Sequence, residues 1–216
     1  MEFRAALFDL DGVIFNTEPQ YDTFWAEMAA RFRPDAPQMV REIKGTTLVS
    51  TLDAWFSGPY EKYRKELVGL LDAFEAGMDF PYIPGFEAFL EMLHRQGIKT
   101  AVVTSSNRPK MENVYRSRPG FASRFGAILT SEDFRASKPD PDCYLKAAAR
   151  LGVSPADCVV FEDSRTGIQS GKSAGAFVVG LTTTLPEETV RSLADITVRD
   201  FTDVRLREGL PINYNG

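Results

Sequence analysis

Histidine is nearly absent from this chain, with one residue in 216, at position 94. Cysteine is scarce too: Cys143 and Cys158 lie fifteen positions apart, with no Cys-x-x-Cys pair. A zinc site of thiolates and imidazoles is thereby excluded, as is a small scaffold framed by disulfides. The two thiols read as reduced, buried core residues. Any metal must be held by oxygen, which points to Mg2+ or a similar hard cation. Long apolar runs are missing as well. No stretch of about 18 uncharged apolar residues occurs, so no membrane span is expected. The opening MEFRAALFDLDG has no basic segment leading into an apolar run and a small-residue cleavage site. No secretory signal is therefore expected, and the expected location is cytoplasmic. Positive charge is short: 25 Lys and Arg against 30 Asp and Glu leave a net charge of -5. That balance provides no broad basic field for a nucleic-acid backbone.

What the chain does have is an apolar share of 44% against 25% charged, the balance of a globular protein. Its length allows roughly 70% of the unfolded surface to be buried, in one large domain or two modest ones. Ala5-Ala6-Leu7-Phe8 reads as a short buried strand ending in Asp9-Leu10-Asp11-Gly12. Residues 20 to 78 then look helical throughout. Tyr21, Phe24, Trp25 and Met28 recur at helical spacing, a second segment follows Lys44-Gly45, and a third runs from Tyr60 to Phe74. The aromatic stripe reads as core. After Pro84-Gly85 the pattern alternates. Helices are expected at 86–95, around 110–116, at 141–151 and at 166–174, and strands at 98–104, 127–130, 158–161, 176–181 and 196–198. Unbroken apolar strands alternating with helices imply a parallel sheet covered on both faces.

The expected fold class is therefore α/β, a Rossmann-like parallel sheet with helices on both faces and an all-α insert after the first strand. The expected domains are a core of residues 1–15 and 83–216 and an insert of residues 16–82. Ligands of open parallel sheets bind beyond the carboxyl ends of the strands. Four polar clusters fall there: Asp9 with Asp11, the run Thr104-Ser105-Ser106-Asn107, Lys138, and Glu162 with Asp163. An Asp-x-Asp alone is turn chemistry or a helix cap. Three or four carboxylates converging on one sheet edge repel one another unless a cation holds them, which suggests a Mg2+ site. Lys138 would screen that cluster or bind phosphate. Thr104 and the amides of Ser105 and Ser106 supply donors for an anion at a strand-to-helix turn.

Two other features carry less. Gly167 to Ser173, GIQSGKS, lacks the leading glycine of a nucleotide-binding P-loop, because position 166 is Thr, and it would lie inside a helix. His94 reads as a charge at a helix C-terminus rather than a catalytic group.

FDLDGV at 8–13, VVTSSN at 102–107, SKPDPDCYLKAA at 137–148 and FEDSRTGIQSGKSAGA at 161–176 together resemble the four motifs of the haloacid dehalogenase superfamily, in order and in spacing. The insert position is similar to the helical cap of the subgroup that holds β-phosphoglucomutases, sugar phosphatases and phosphoglycolate-type phosphatases. The resemblance implies a set of roles. Asp9 would be the nucleophile that forms an aspartyl-phosphate, and Asp11 the general acid/base, its backbone carbonyl also ligating Mg2+. Thr104 would hydrogen-bond a phosphoryl oxygen, and Lys138 would bridge Asp9 and phosphate. The expected metal-binding set is Asp9, Asp11, Glu162 and Asp163, with Glu162 direct or through water and Ser164 supporting it. Thr17 would sit at the hinge. Thr17, Lys44, Gly45, Ser105, Ser106 and Asn107 are the expected substrate- or phosphate-binding residues.

The chain departs from the mutases at two points. Their cap Lys-Gly-x-x-Arg is here Lys44-Gly45-Thr46-Thr47-Leu48, without the Arg, and Tyr21 stands where they carry a His four residues after the hinge Thr. A bisphosphate held at both ends needs such a clamp. The resemblance therefore implies a Mg2+-dependent phosphohydrolase acting on a small phosphorylated metabolite, such as a sugar phosphate. The alternatives are β-phosphoglucomutase-type transfer, inorganic pyrophosphatase activity, or a catalytically silent binding protein. A monomer or weak dimer is expected, with a small phosphorylated molecule as partner and neither nucleic acid nor membrane. No role is legible in the tail from Asp203 to Gly216.

Overall fold

A computed structural model describes residues 3–207 and 210–213. The strands are β1 (Ala5–Phe8), β2 (Lys99–Val103), β3 (Ala127–Leu129), β4 (Cys158–Glu162), β5 (Phe177–Leu181) and β6 (Ile196–Val198). They form one six-stranded sheet in the order β3-β2-β1-β4-β5-β6, every pair parallel. Ala5 pairs with Lys99 on one side and Cys158 on the other, so β1 lies inside the sheet. Its four residues are all buried, as the unbroken apolar run requires.

Side chains alternate between two cores. Ala6, Phe8, Val102 and Phe161 face one side, where α5 (Phe86–Arg95) and α6 (Arg108–Ser117) pack. Phe8 stacks on Phe161 with ring centroids 4.8 Å apart. Ala5, Leu7, Val103 and Val160 face the other side, covered by α7 (Asp142–Leu151), α8 (Arg165–Ser173) and α9 (Glu187–Leu193). The seven-residue α9 lies in a stretch where the sequence reading placed no helix. It is short, and Val190 is its single buried residue.

Between β1 and α5 the chain forms α1 (Glu18–Phe32), α2 (Met39–Glu42), α3 (Leu48–Trp55) and α4 (Arg64–Ala76), with a 3-10 turn at Gly58–Tyr63. These helices share a core of their own, in which Phe24, Trp25, Met28 and Phe32 of α1 meet Phe56, Leu67 and Leu71. The chain enters and leaves this insert side by side. Phe15 bridges Tyr82, and the Asn16 N–H donates to the Pro81 carbonyl at 2.8 Å. The tail that carried no legible role contributes β7 (Val204–Arg207) and β8 (Leu210–Asn213), an antiparallel hairpin beside β6. Among the described residues no helix is long and apolar enough to cross a membrane.

Candidate active site

The carboxyl ends of β1, β2 and β4 bring the four sequence clusters together. Asp9 follows β1, and its N–H continues the ladder to the Phe161 carbonyl. Lys138, from the loop before α7, lies in the centre with its side chain fully buried. Its Nζ donates to Asp9 Oδ1 and to Glu162 Oε1, both at 2.6 Å, and to the Val103 carbonyl at 3.2 Å. An ammonium so placed loses its hydration, but the charges of Asp9 and Glu162 outweigh that loss and hold it protonated, well above its ordinary range.

Glu162 is fully engaged. Tyr144 Oη donates to Oε1 at 2.9 Å, while the N–H groups of Asp163 and Ser164 and the Ser164 hydroxyl donate to Oε2. Ser164 in turn caps α8, accepting from the Gly167 N–H at 3.0 Å. The site explains the glycine at 167: a Cβ there would fall 1.8 Å from Glu162 Oε1. Asp163 receives a hydrogen bond from Thr184.

Ligand oxygens of Asp9, Glu162 and Asp163 all lie within 4.8 Å of one another. Burial raises Asp9 despite the opposing charge of Lys138, to about 7. Burial and then the Glu162 charge push Asp163 well above the carboxylate range. Three carboxylates around one ammonium leave the edge short of positive charge, and a hard dication bound by Asp9 and Asp163 would supply it. The donor set thus fits Mg2+. Glu162, with both oxygens already taken by donors, fits the role of holding Lys138 and the 162–164 turn in place.

Asp11 points elsewhere. Thr17 Oγ1 donates to its Oδ1 at 2.5 Å, and Ser106 Oγ (3.0 Å) and Lys110 Nζ (2.5 Å) donate to Oδ2. Burial pushes this carboxyl up, but the Lys110 charge and the three donors prevail and hold it below its usual range. Thr104, fully buried, accepts from the Ser106 N–H at 3.0 Å. Asn107 Oδ1 caps α6 by accepting from the Lys110 N–H.

A cavity of about 610 Å³ opens above these groups, with the insert as its far wall. Tyr21, Trp25, Lys44 and Gly45 line it, so two members of the expected core stripe also face the site. Lys44 is not a free cation there. Its Nζ is held by Asp22 at 2.7 Å and Glu18 at 3.1 Å. Gly45 brings the insert backbone close to the core: its carbonyl accepts from Ser105 Oγ at 3.0 Å, and a Cβ on it would lie 2.3 Å from Ser164 Oγ. Arg41, Lys62, Arg64 and Lys65, all cations on the insert, do not line the cavity.

Sequence reasoning missed Lys110, Tyr144, Thr184 and the pair Tyr21–Glu75, in which Tyr21 Oη donates to Glu75 at 2.6 Å. For Lys110 a signal existed. It lies three residues after a helix cap that itself follows the end of a strand, so the first turn of α6 faces the sheet edge.

The sequence matches the haloacid dehalogenase-like hydrolase family over residues 3–175. The chain belongs to that family, and is thus an enzyme of a hydrolase class. Among its relatives, validoxylamine A 7'-phosphate phosphatase of Streptomyces hygroscopicus subsp. limoneus is 31% identical over 94% of this chain and 96% of its own. β-Phosphoglucomutase of Bacillus subtilis is 32% identical over 96% of this chain and 100% of its own. A family IA, variant 3 HAD hydrolase from Entamoeba histolytica superposes with a TM-score of 0.79 at 26% identity, covering 97% of each chain.

Proposed function

We propose that the protein is a Mg2+-dependent phosphatase of small phosphorylated metabolites, acting through a phosphoenzyme on Asp9. The observation that carries this reading is Lys138 held between Asp9 and Glu162 beneath the cavity, with Asp163 beside them. Asp9 and Asp163 would hold the ion, with the Asp11 carbonyl; when bound, it neutralises charge on the transferring phosphoryl group.

A carboxylate oxygen of Asp9 attacks phosphorus, and the bond to the leaving oxygen breaks as Asp11, ionised before substrate binds, relays to that oxygen the proton carried in by the phosphate monoester's monoanion. Lys138 offsets the negative charge of Asp9 and the phosphoryl oxygens, which would otherwise repel the nucleophile. Thr104 and the Ser105 amide orient the phosphoryl group. Asp11 then takes a proton from water, whose oxygen attacks phosphorus, releasing phosphate and restoring Asp9. The insert wall excludes bulk water and contacts the rest of the substrate.

Hydrolysis is preferred over mutase transfer because the one cavity-lining Lys of the insert is already neutralised by Glu18 and Asp22. That leaves the insert without a free cation to clamp a second phosphate, although Arg135 of the core also lines the cavity. Phosphate release measured with Mg2+ across sugar phosphates, phosphoglycolate, nucleotides, pyrophosphate and p-nitrophenyl phosphate tests the reading. Release that survives in a folded Asp9→Asn variant would refute the mechanism. Conversion of β-glucose 1-phosphate to glucose 6-phosphate would establish the mutase instead.

Mg2+ at 100 times its dissociation constant is expected to stabilise the fold by about 2.7 kcal/mol, a rise of roughly 5–10 °C in melting temperature. Asp163→Asn is expected to abolish most of that rise. An equal rise in the variant would mean that the ion binds elsewhere.

A further inference from the structure

We propose that Lys110 is a positioning residue that holds the Asp11 carboxylate in place for activating the water that hydrolyses the phosphoenzyme. The inference rests on the phosphatase reading above. Lys110 is 2% exposed, on the first turn of α6, and its Nζ meets Asp11 Oδ2 at 2.5 Å. Two further donors, Thr17 and Ser106, hold the same carboxylate, so its orientation is set from three elements. Thr17 precedes α1, Ser106 follows β2, and Lys110 comes from α6. Of the three, only Lys110 brings a charge.

The ammonium is itself fixed from the insert side. It lies 4.6 Å from the centroid of the Tyr21 ring, and the Tyr21 hydroxyl is tied to Glu75 of α4. An ammonium removed from water and set between a carboxylate and an aromatic face has little freedom to wander. Fixing Asp11 matters because proton transfer needs the carboxylate within hydrogen-bond reach of the attacking water, and positioned acid–base groups contribute about 10²–10⁴-fold. The first phosphoryl transfer to Asp9 makes a smaller demand when the leaving group needs no proton.

Pre-steady-state kinetics with p-nitrophenyl phosphate separate these steps, since p-nitrophenolate departs unprotonated. In Lys110→Met the first turnover should stay within about threefold of the wild type, while kcat falls about 10²-fold and KM falls with it, leaving kcat/KM little changed, because phosphoenzyme accumulates. A KM rise at constant kcat would make Lys110 a substrate-binding group and overturn the proposal. Equal slowing of both phases, or no change in either, would also overturn it. Should the Met variant not fold, Lys110→Gln carries the same test, because it keeps a donor near Asp11 without the charge. Absence of phosphate release from the wild type, or its survival in Asp9→Asn, would instead mark failure of the phosphatase reading itself.

Discussion

Lys138→Met is expected to lose about 3–5 kcal/mol of folding stability, because it strips the partner from buried charges rather than removing a surface pair. Lys138 has no exposed side-chain area and Glu162 has none, and each of its two carboxylate contacts is 2.6 Å long. Without the ammonium, Asp9, Glu162 and Asp163 of the metal-free protein face one another with no cation between them. In a domain of this size the loss corresponds to a fall of roughly 6–20 °C in melting temperature. Turnover should fall about 10³-fold or more, since the charge that offsets the phosphoryl oxygens goes with it. Chemical denaturation and phosphate release measure the two effects separately. Adding Glu162→Gln should restore part of the stability and none of the turnover. A single variant that melts with the wild type would show that Lys138 is not the partner of these acids in solution.

Gly45→Ala is expected to reduce kcat/KM about 10²-fold, the scale set by a 1 Å displacement of a catalytic arrangement. Gly45 has φ of +75°, where an L side chain costs about 1–2 kcal/mol. The new Cβ would also meet Ser164 Oγ at 2.3 Å and Thr166 Oγ1 at 2.7 Å. Ser164 does not yield easily. Ser164 is held by Glu162 and by its capping bond to Gly167. The insert must therefore lift away, loosening the hydrogen bonds from Ser105 to the Gly45 carbonyl and from Ser137 to Thr47. The two cores flanking the sheet are remote from the change, so far-ultraviolet circular dichroism should be unaltered. An alanine variant with wild-type kcat/KM would show that the two parts need not approach this closely for catalysis.

These two sites differ in how far the sequence discloses them. Asp9, Thr104, Lys138, Glu162 and Asp163 are legible because each stands next to a strand end or in a motif, and a parallel sheet gathers its carboxyl ends along one edge. The bounds of β2, β3 and β4 follow from apolar runs and fall within a residue or two of the structure. What could not be read was direction. Asp9 and Asp11 are two positions apart, yet one turns to Lys138 and the other to Lys110. That divergence depends on side chains 99 or more positions away in the chain. Lys44 illustrates the same limit. As a residue type it suits phosphate, and only the packing of α1 reveals that Glu18 and Asp22 already hold it. The Val204–Arg207 hairpin went unread for a different reason, since its partner strand contains Pro211 and gives no alternating apolar signal.

The pairing of Asn16 with Pro81 has a consequence for how such proteins diversify. The helical insert leaves and rejoins the core through two segments joined by a bridge at Phe15 and Tyr82 and by the 2.8 Å hydrogen bond from Asn16 to Pro81. An excursion whose ends already touch makes almost no demand on the length or shape of what lies between them. A recombination event with breakpoints near positions 16 and 82 would exchange the whole far wall of the cavity while leaving β1, Asp9 and Asp11 in register. Most of the cavity's far wall can therefore be inherited separately from the sheet edge, provided the incoming segment keeps the contacts that Thr17 and Tyr21 make with Asp11 and Lys110.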